Sequence, residues 1–235
     1  GLCGPAVPVC ENPLEALSNP GVHSRQWMKT GRDSMKRRLH LPAIAFAAIA
    51  AYSAGALADD ARVASLVGER CALCHGPRGE SSTELYPRLA GQHAKYIAKQ
   101  LADYKAGRRK NDTMSQMAAD LGDADMMALG QYFEKQPVKA GGMQDADLAA
   151  AGKYLYNNGN PWSGVPACAF CHGPRAHGTD QLPRLAGQRA AYTAAQLMKF
   201  NQRERSNDNA VMRTVAAQLT EFEIRALAEY VGSLD

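Results

Sequence analysis

One stretch of this chain is written twice. Arg70-Cys71-Ala72-Leu73-Cys74-His75-Gly76-Pro77-Arg78 returns as Ala167-Cys168-Ala169-Phe170-Cys171-His172-Gly173-Pro174-Arg175. Pro87-Arg88-Leu89-Ala90-Gly91-Gln92 returns as Pro183-Arg184-Leu185-Ala186-Gly187-Gln188, and Tyr96, Gln100 and Leu101 match Tyr192, Gln196 and Leu197. The copies are offset by 97 residues at Cys74 and Cys171, by 96 at Pro87 and Pro183, and by 98 at Leu121 and Leu219. A drift this small marks short loop insertions between two copies of one fold. Whatever the first copy forms, the second forms again.

Within each copy the pattern is helical. Ala61 to Cys71 and Ala146 to Tyr156 read as first helices, and Gln92 to Ala106 and Gln188 to Gln202 carry apolar residues at three-to-four spacing. Asp123 to Lys135 and Glu221 to Leu234 open on acidic residues, which suit the positive end of a helix. No stretch alternates as a strand does. The expected architecture is all-α, with one domain over 59–138, a Pro- and Gly-punctuated linker over 139–143 and a second domain over 144–235.

The sequence ahead of the repeat is of another kind. Residues 1–34 are rich in Gly and Pro and show no periodicity, so they are expected to be upstream sequence outside the folded protein. Residues 35–58 open on Met35-Lys36-Arg37-Arg38, continue through the apolar run Leu41 to Leu57 and end on Ala56-Leu57-Ala58. A basic start, an apolar middle and an A-x-A end describe a cleaved secretory signal peptide, which predicts export to the periplasm. An uncleaved membrane anchor is the rival reading, since the run is near the lower length for a span; its many alanines and the A-x-A end favour cleavage. Cys3 and Cys10 lie ahead of this signal. The formal charge of +4 falls to +1 from Asp59 onward, with 21 basic and 20 acidic residues, so there is no basic stripe of the kind nucleic-acid binding requires.

Cys-x-x-Cys-His carries the chemistry. Two thiols three positions apart at a helix end, Cys71 with Cys74 and Cys168 with Cys171, can form thioethers with the two vinyl groups on one porphyrin edge. The adjacent His75 or His172 is then carried beneath the ring, where an imidazole nitrogen binds iron. The pentapeptide is the signal for c-type haem attachment. A structural zinc site would place its cysteine pairs closer than the 94 residues separating Cys74 from Cys168. A redox dithiol needs neither the histidine nor a second copy, and a disulfide closing so small a loop stabilises little. Two covalent haems, with their iron, are expected.

The repeat also identifies a second iron ligand. Met114 and Met212 each stand seven residues before the shared Leu121 or Leu219, and 39 and 40 residues after His75 and His172. Met117 aligns with Val215, so that position reads as apolar packing, and Met126, Met127 and Met198 read as core fillers. His93 and His177 lack counterparts in the other copy and read as surface histidines. Tyr96 and Tyr192 suit either a pocket wall or an ordinary core face, and Arg88 and Arg184 either a haem propionate or solvent.

On these residues, from Asp59 to Asp235, the chain resembles the dihaem class I cytochromes of the cytochrome c-four family: two tandem class I cytochrome c domains, each with one covalent haem. The resemblance implies that Pro87 and Pro183 lend their backbone carbonyls to the ligand imidazoles, which would fix the rings and raise their basicity. It also implies two haems facing each other across the domain interface.

With both axial positions filled, iron offers no open site for oxygen or peroxide. Electron transfer without catalysis follows as the expectation, with no catalytic residues and no small-molecule substrate. The family implies a shuttle between a membrane quinol-oxidising cytochrome complex and a terminal haem-copper oxidase or a reductase, with room for peripheral membrane association. Two other roles compete: the cytochrome subunit of a larger dehydrogenase such as a flavocytochrome, and a dihaem peroxidase, which would need one haem able to shed its sixth ligand.

Overall fold

The computed structural model describes residues 60–81 and 83–235; the upstream segment 1–34 and the signal segment 35–58 lie outside the described residues. The described chain is helical, and its one departure is an isolated antiparallel bridge between Asn160 and Val165. Helix α1 covers 60–75, with a π-helical turn at Val67–Cys71 and a last α turn at Ala72–His75. It is followed by α2 (Ala94–Lys105), α3 (Asp112–Ala118) and α4 (Asp123–Glu134). The second copy supplies α5 (Ala146–Asn158), α6 (Ala169–His172), α7 (Ala190–Asn201), α8 (Val211–Ala216) and α9 (Glu221–Ser233).

Side-chain caps set several helix starts. The Asn111 side chain accepts from Met114 N–H at 2.9 Å, and Asp145 accepts from Leu148 N–H at 2.9 Å. Thr220 and Glu223 exchange bonds in a capping box at the start of α9. α2 crosses α4 at Gly130, where a Cβ would run into the Ala94 backbone, and α5 crosses α9 at Gly152, against the Ala226 carbonyl. Only a residue without a side chain lets the backbones approach so closely.

Each copy has its own core. Leu66, Ile97, Leu121, Leu129 and Phe133 are buried together in the first, and Tyr156, Leu219, Ile224, Leu227 and Val231 in the second. The pairing of shared Leu121 with Leu219 therefore marks equivalent core positions.

Two elements differ from the sequence expectation. The long helices begin at Ala94 and Ala190, not at Gln92 and Gln188, because each glutamine spends its side chain outside the helix: its Oε1 accepts the N–H of the following residue and one from the other copy. In the first copy a single helix carries straight into the Cys-x-x-Cys-His motif. In the second, α5 stops at Gly159 (φ +70°) and a loop through the Asn160–Val165 bridge intervenes before α6.

Candidate haem sites

Both motif histidines sit on the last turn of a helix that ends abruptly. Gly76 and Gly173 follow them at φ +80° and +78°, a left-handed conformation that lets the chain leave at once. His75 and His172 are buried, and each Nδ1 meets a carbonyl: that of Pro87 at 2.9 Å and that of Pro183 at 3.2 Å. A carbonyl only accepts, so Nδ1 carries the hydrogen and Nε2 keeps the lone pair. Burial pushes both imidazoles below their ordinary pKa, with the proline carbonyls opposing it, so the rings are neutral near pH 7. Neutral imidazole is the form that binds a metal.

Cys71, Cys74, Cys168 and Cys171 are in no disulfide among the described residues, which leaves all four sulfurs to form thioethers. Burial raises the Cys71 thiol, with Arg70 opposing it, and raises Cys168 to about 11. An open cavity of about 1570 Å³ reaches all four thiols and both histidines. Met114 on α3 and Met212 on α8 line the same cavity, and Leu101, Leu129, Leu197 and Leu227 contribute apolar wall. Thiol pairs, neutral imidazoles and thioethers around an apolar space form a donor set that fits two covalently held haems.

Three expectations from the sequence need correcting. Met117 is not core but 37% exposed at the cavity, whereas its counterpart Val215 packs against the second core. Met126 is buried, but Met127 on the next position of α4 turns outward. His93 and His177 are not free surface histidines. The His93 ring Nε2 donates to the His177 carbonyl at 2.7 Å, which ties the two copies together, and the His177 ring lies 2.8 Å from the Asp235 backbone oxygen within its own copy. Arg88 is partly buried, and its guanidinium donates to the carbonyls of Lys139 and Gly187.

Tyr96 and Tyr192 do wall the cavity, and they belong to a polar network that the sequence reading missed. Arg109 and Arg205, both buried, face each other across the junction of the copies. Arg109 donates to Gln100, Gln196 and the Tyr192 hydroxyl, each at 2.8 Å. Arg205 donates to Gln196 and the Tyr96 hydroxyl at 3.0 Å and to Gln100 at 3.1 Å. Each guanidinium also lies over a ring of its own copy, Tyr104 at 4.7 Å and Phe200 at 4.5 Å. The network has the repeat's own symmetry: Arg109 and Arg205 are 96 residues apart, as are Gln100 and Gln196. That shared offset was the available signal.

The sequence model of the family described as Cytochrome c matches residues 61–159 and again 149–235. Over 168 residues the chain is 45% identical to cytochrome c4 of Thiocapsa roseopersicina, covering 70% of this chain and 86% of that one. It is 39% identical over 168 residues to the thiosulfate dehydrogenase electron acceptor of Thiomonas intermedia, covering 69% and 77%. The crystal structure of reduced cytochrome c4 from Pseudomonas stutzeri superposes with a TM-score of 0.69 at 39% identity, covering 73% of this chain and 97% of that one.

Proposed function

Since this chain belongs to the cytochrome c family, as a dihaem protein of the cytochrome c4 type with two covalent c-type haems and an electron-transfer function, we propose that its irons are held by His75 with Met114 and by His172 with Met212. The observation that carries this reading is the cavity that places both thiol pairs, both neutral imidazoles and both thioethers on its walls. A haem so held supplies reversible one-electron chemistry, and a thioether ligand favours a raised potential.

The residues around it do the rest. The four cysteines tether, the Pro87 and Pro183 carbonyls orient the imidazoles, and the leucine-lined walls keep water away. Leu73 and Phe170, inside the two Cys-x-x-Cys-His motifs, are 79% and 91% exposed. Such small apolar contacts beside the tethering cysteines suit brief, weak encounters with redox partners. With both axial positions filled, the protein carries electrons and catalyses nothing itself.

In this reading residues 35–58 direct export, and the mature protein works in the periplasm between a quinol-oxidising membrane complex and a terminal oxidase. A second donor is favoured by one observation: relatives at 39% and 34% identity are named thiosulfate dehydrogenase electron acceptors. The test is a visible spectrum with haem quantification, followed by stopped-flow reduction by a thiosulfate dehydrogenase with thiosulfate and by a quinol-oxidising complex. One haem per chain, or ready binding of carbon monoxide at both irons, sinks the ligation; the faster donor identifies the partner.

A further inference from the structure

Gln92 and Gln188, which close the two Pro-Arg-Leu-Ala-Gly-Gln repeats, are both buried. Their side chains cross the junction. Gln188 Oε1 accepts from Arg88 N–H at 2.8 Å while its Nε2 donates to the Arg88 carbonyl at 2.9 Å. Gln92 does the same to Arg184, with both distances 2.9 Å. The exchange is reciprocal and involves backbone, not side chains, on the receiving side.

The peptide group receiving each bond is the important point. Arg88 N–H and the Pro87 carbonyl are the two ends of a single peptide unit, and that carbonyl holds His75 Nδ1 at 2.9 Å. Likewise Arg184 N–H and the Pro183 carbonyl are one unit, bonded to His172 Nδ1 at 3.2 Å. The peptide is conjugated, so donation from its N–H draws electron density onto its oxygen. Hydrogen bonds in such a chain strengthen one another. A better acceptor at the proline oxygen pulls harder on the imidazole proton and makes the ring a stronger donor to iron.

We propose that Gln188 and Gln92 are positioning residues that tune the haem of the opposite domain, each acting through one peptide unit on the other domain's axial histidine. The repeat motif then holds both halves of the device: its proline and arginine form the unit that is read, and its glutamine, five residues after the proline, reads the partner copy. Each glutamine stabilises the oxidised iron across the junction and lowers its potential. The inference rests on His75 and His172 being the axial ligands.

The experiment is a spectroelectrochemical titration of the dihaem protein carrying Gln188→Leu or Gln92→Leu, with each one-electron step assigned by the NMR signals of the ligand methionines. Gln188→Leu is expected to raise the potential of the His75 site by at least threefold in the reduced-to-oxidised ratio, about 28 mV at about 59 mV per tenfold for one electron. The His172 site should move less, and Gln92→Leu should reverse the pattern. Equal movement of both sites in each variant would mean a merely loosened interface and would overturn the proposal, as would potentials that stay put. If they stay put while haem content and the near-infrared methionine band are normal, the tuning fails and the ligation stands; a wild-type protein without that band removes both. No substitution is needed for a second measurement. In the reduced wild-type protein, scalar coupling across the hydrogen bond between Arg88 amide nitrogen and Gln188 Cδ is expected, and its absence refutes the link.

Discussion

The guanidinium of Arg109 in the first domain donates to the hydroxyl of Tyr192 in the second at 2.8 Å. It is buried, it meets amide and phenol oxygens, and its own-domain Tyr104 ring lies beneath it. Nearby cross-domain bonds join Lys99 and Asp103 to Asn207, at 2.8 and 2.7 Å. These bonds make a polar core at the junction of the domains, costly to disturb because any orphaned group stays dry.

Replacing Arg109 with Leu should destabilise the holoprotein by about 2–4 kcal/mol, since Gln100, Gln196 and Tyr192 lose a charged donor together. Arg109→Lys should recover less than half, because an ammonium cannot fork to all of them. Guanidinium denaturation checks both, and a change within about 0.5 kcal/mol for the Leu variant would contradict the network's importance.

Met114→Ala or Met212→Ala should remove the weak near-infrared absorption of methionine-bound ferric iron at that site and leave the other site's contribution. The same variant should bind carbon monoxide at one iron. An unchanged band for Met114→Ala rejects its assignment as a ligand; Met117 beside it on α3, which also faces the cavity, is the control.

Replacing Cys71 and Cys74 together with Ser should halve the covalent haem. Intact-protein mass spectrometry is the readout. Two haems still attached per chain would refute the tethering.

Acid should loosen the junction before it unfolds the domains. Asp103 is buried, and although burial alone would raise its pKa, bonds from Lys99, Asn207 and Arg108 hold it below the ordinary 3.8. A carboxyl whose native value is lowered contributes stability in full above its unfolded value and loses it as pH falls through the native one. The wild-type protein should thus lose junction stability from about pH 4 downward. Asp103→Asn should be weaker at neutral pH and flat across that window. Amide hydrogen exchange at Asn207 reports it, and equal acid sensitivity in both proteins would contradict the assignment.

Much was legible beforehand, for a definite reason. Covalent haem attachment needs two thiols and an imidazole at fixed local spacing, so Cys71-Ala72-Leu73-Cys74-His75 announces its chemistry wherever it folds. Helices likewise follow from a local period, which is why α2, α4, α7 and α9 fall within two residues of their expected bounds. Duplication doubled each signal, and counting from Leu121 and Leu219 aligned Met114 with Met212.

What escaped was everything that depends on how the copies meet. Arg109 stands among the bases Arg108-Arg109-Lys110, which the sequence reading did not single out, and Gln188 read as a helix start. His93 and His177, unmatched in the repeat, looked idle, yet one bonds the other's backbone. Contacts between residues about 80 to 110 positions apart leave no local period and no spacing rule, because they are set by the packing of two finished surfaces. Local spacing determined that this chain holds two haems; only the docking of its halves decided which side chains of one domain bond to the other.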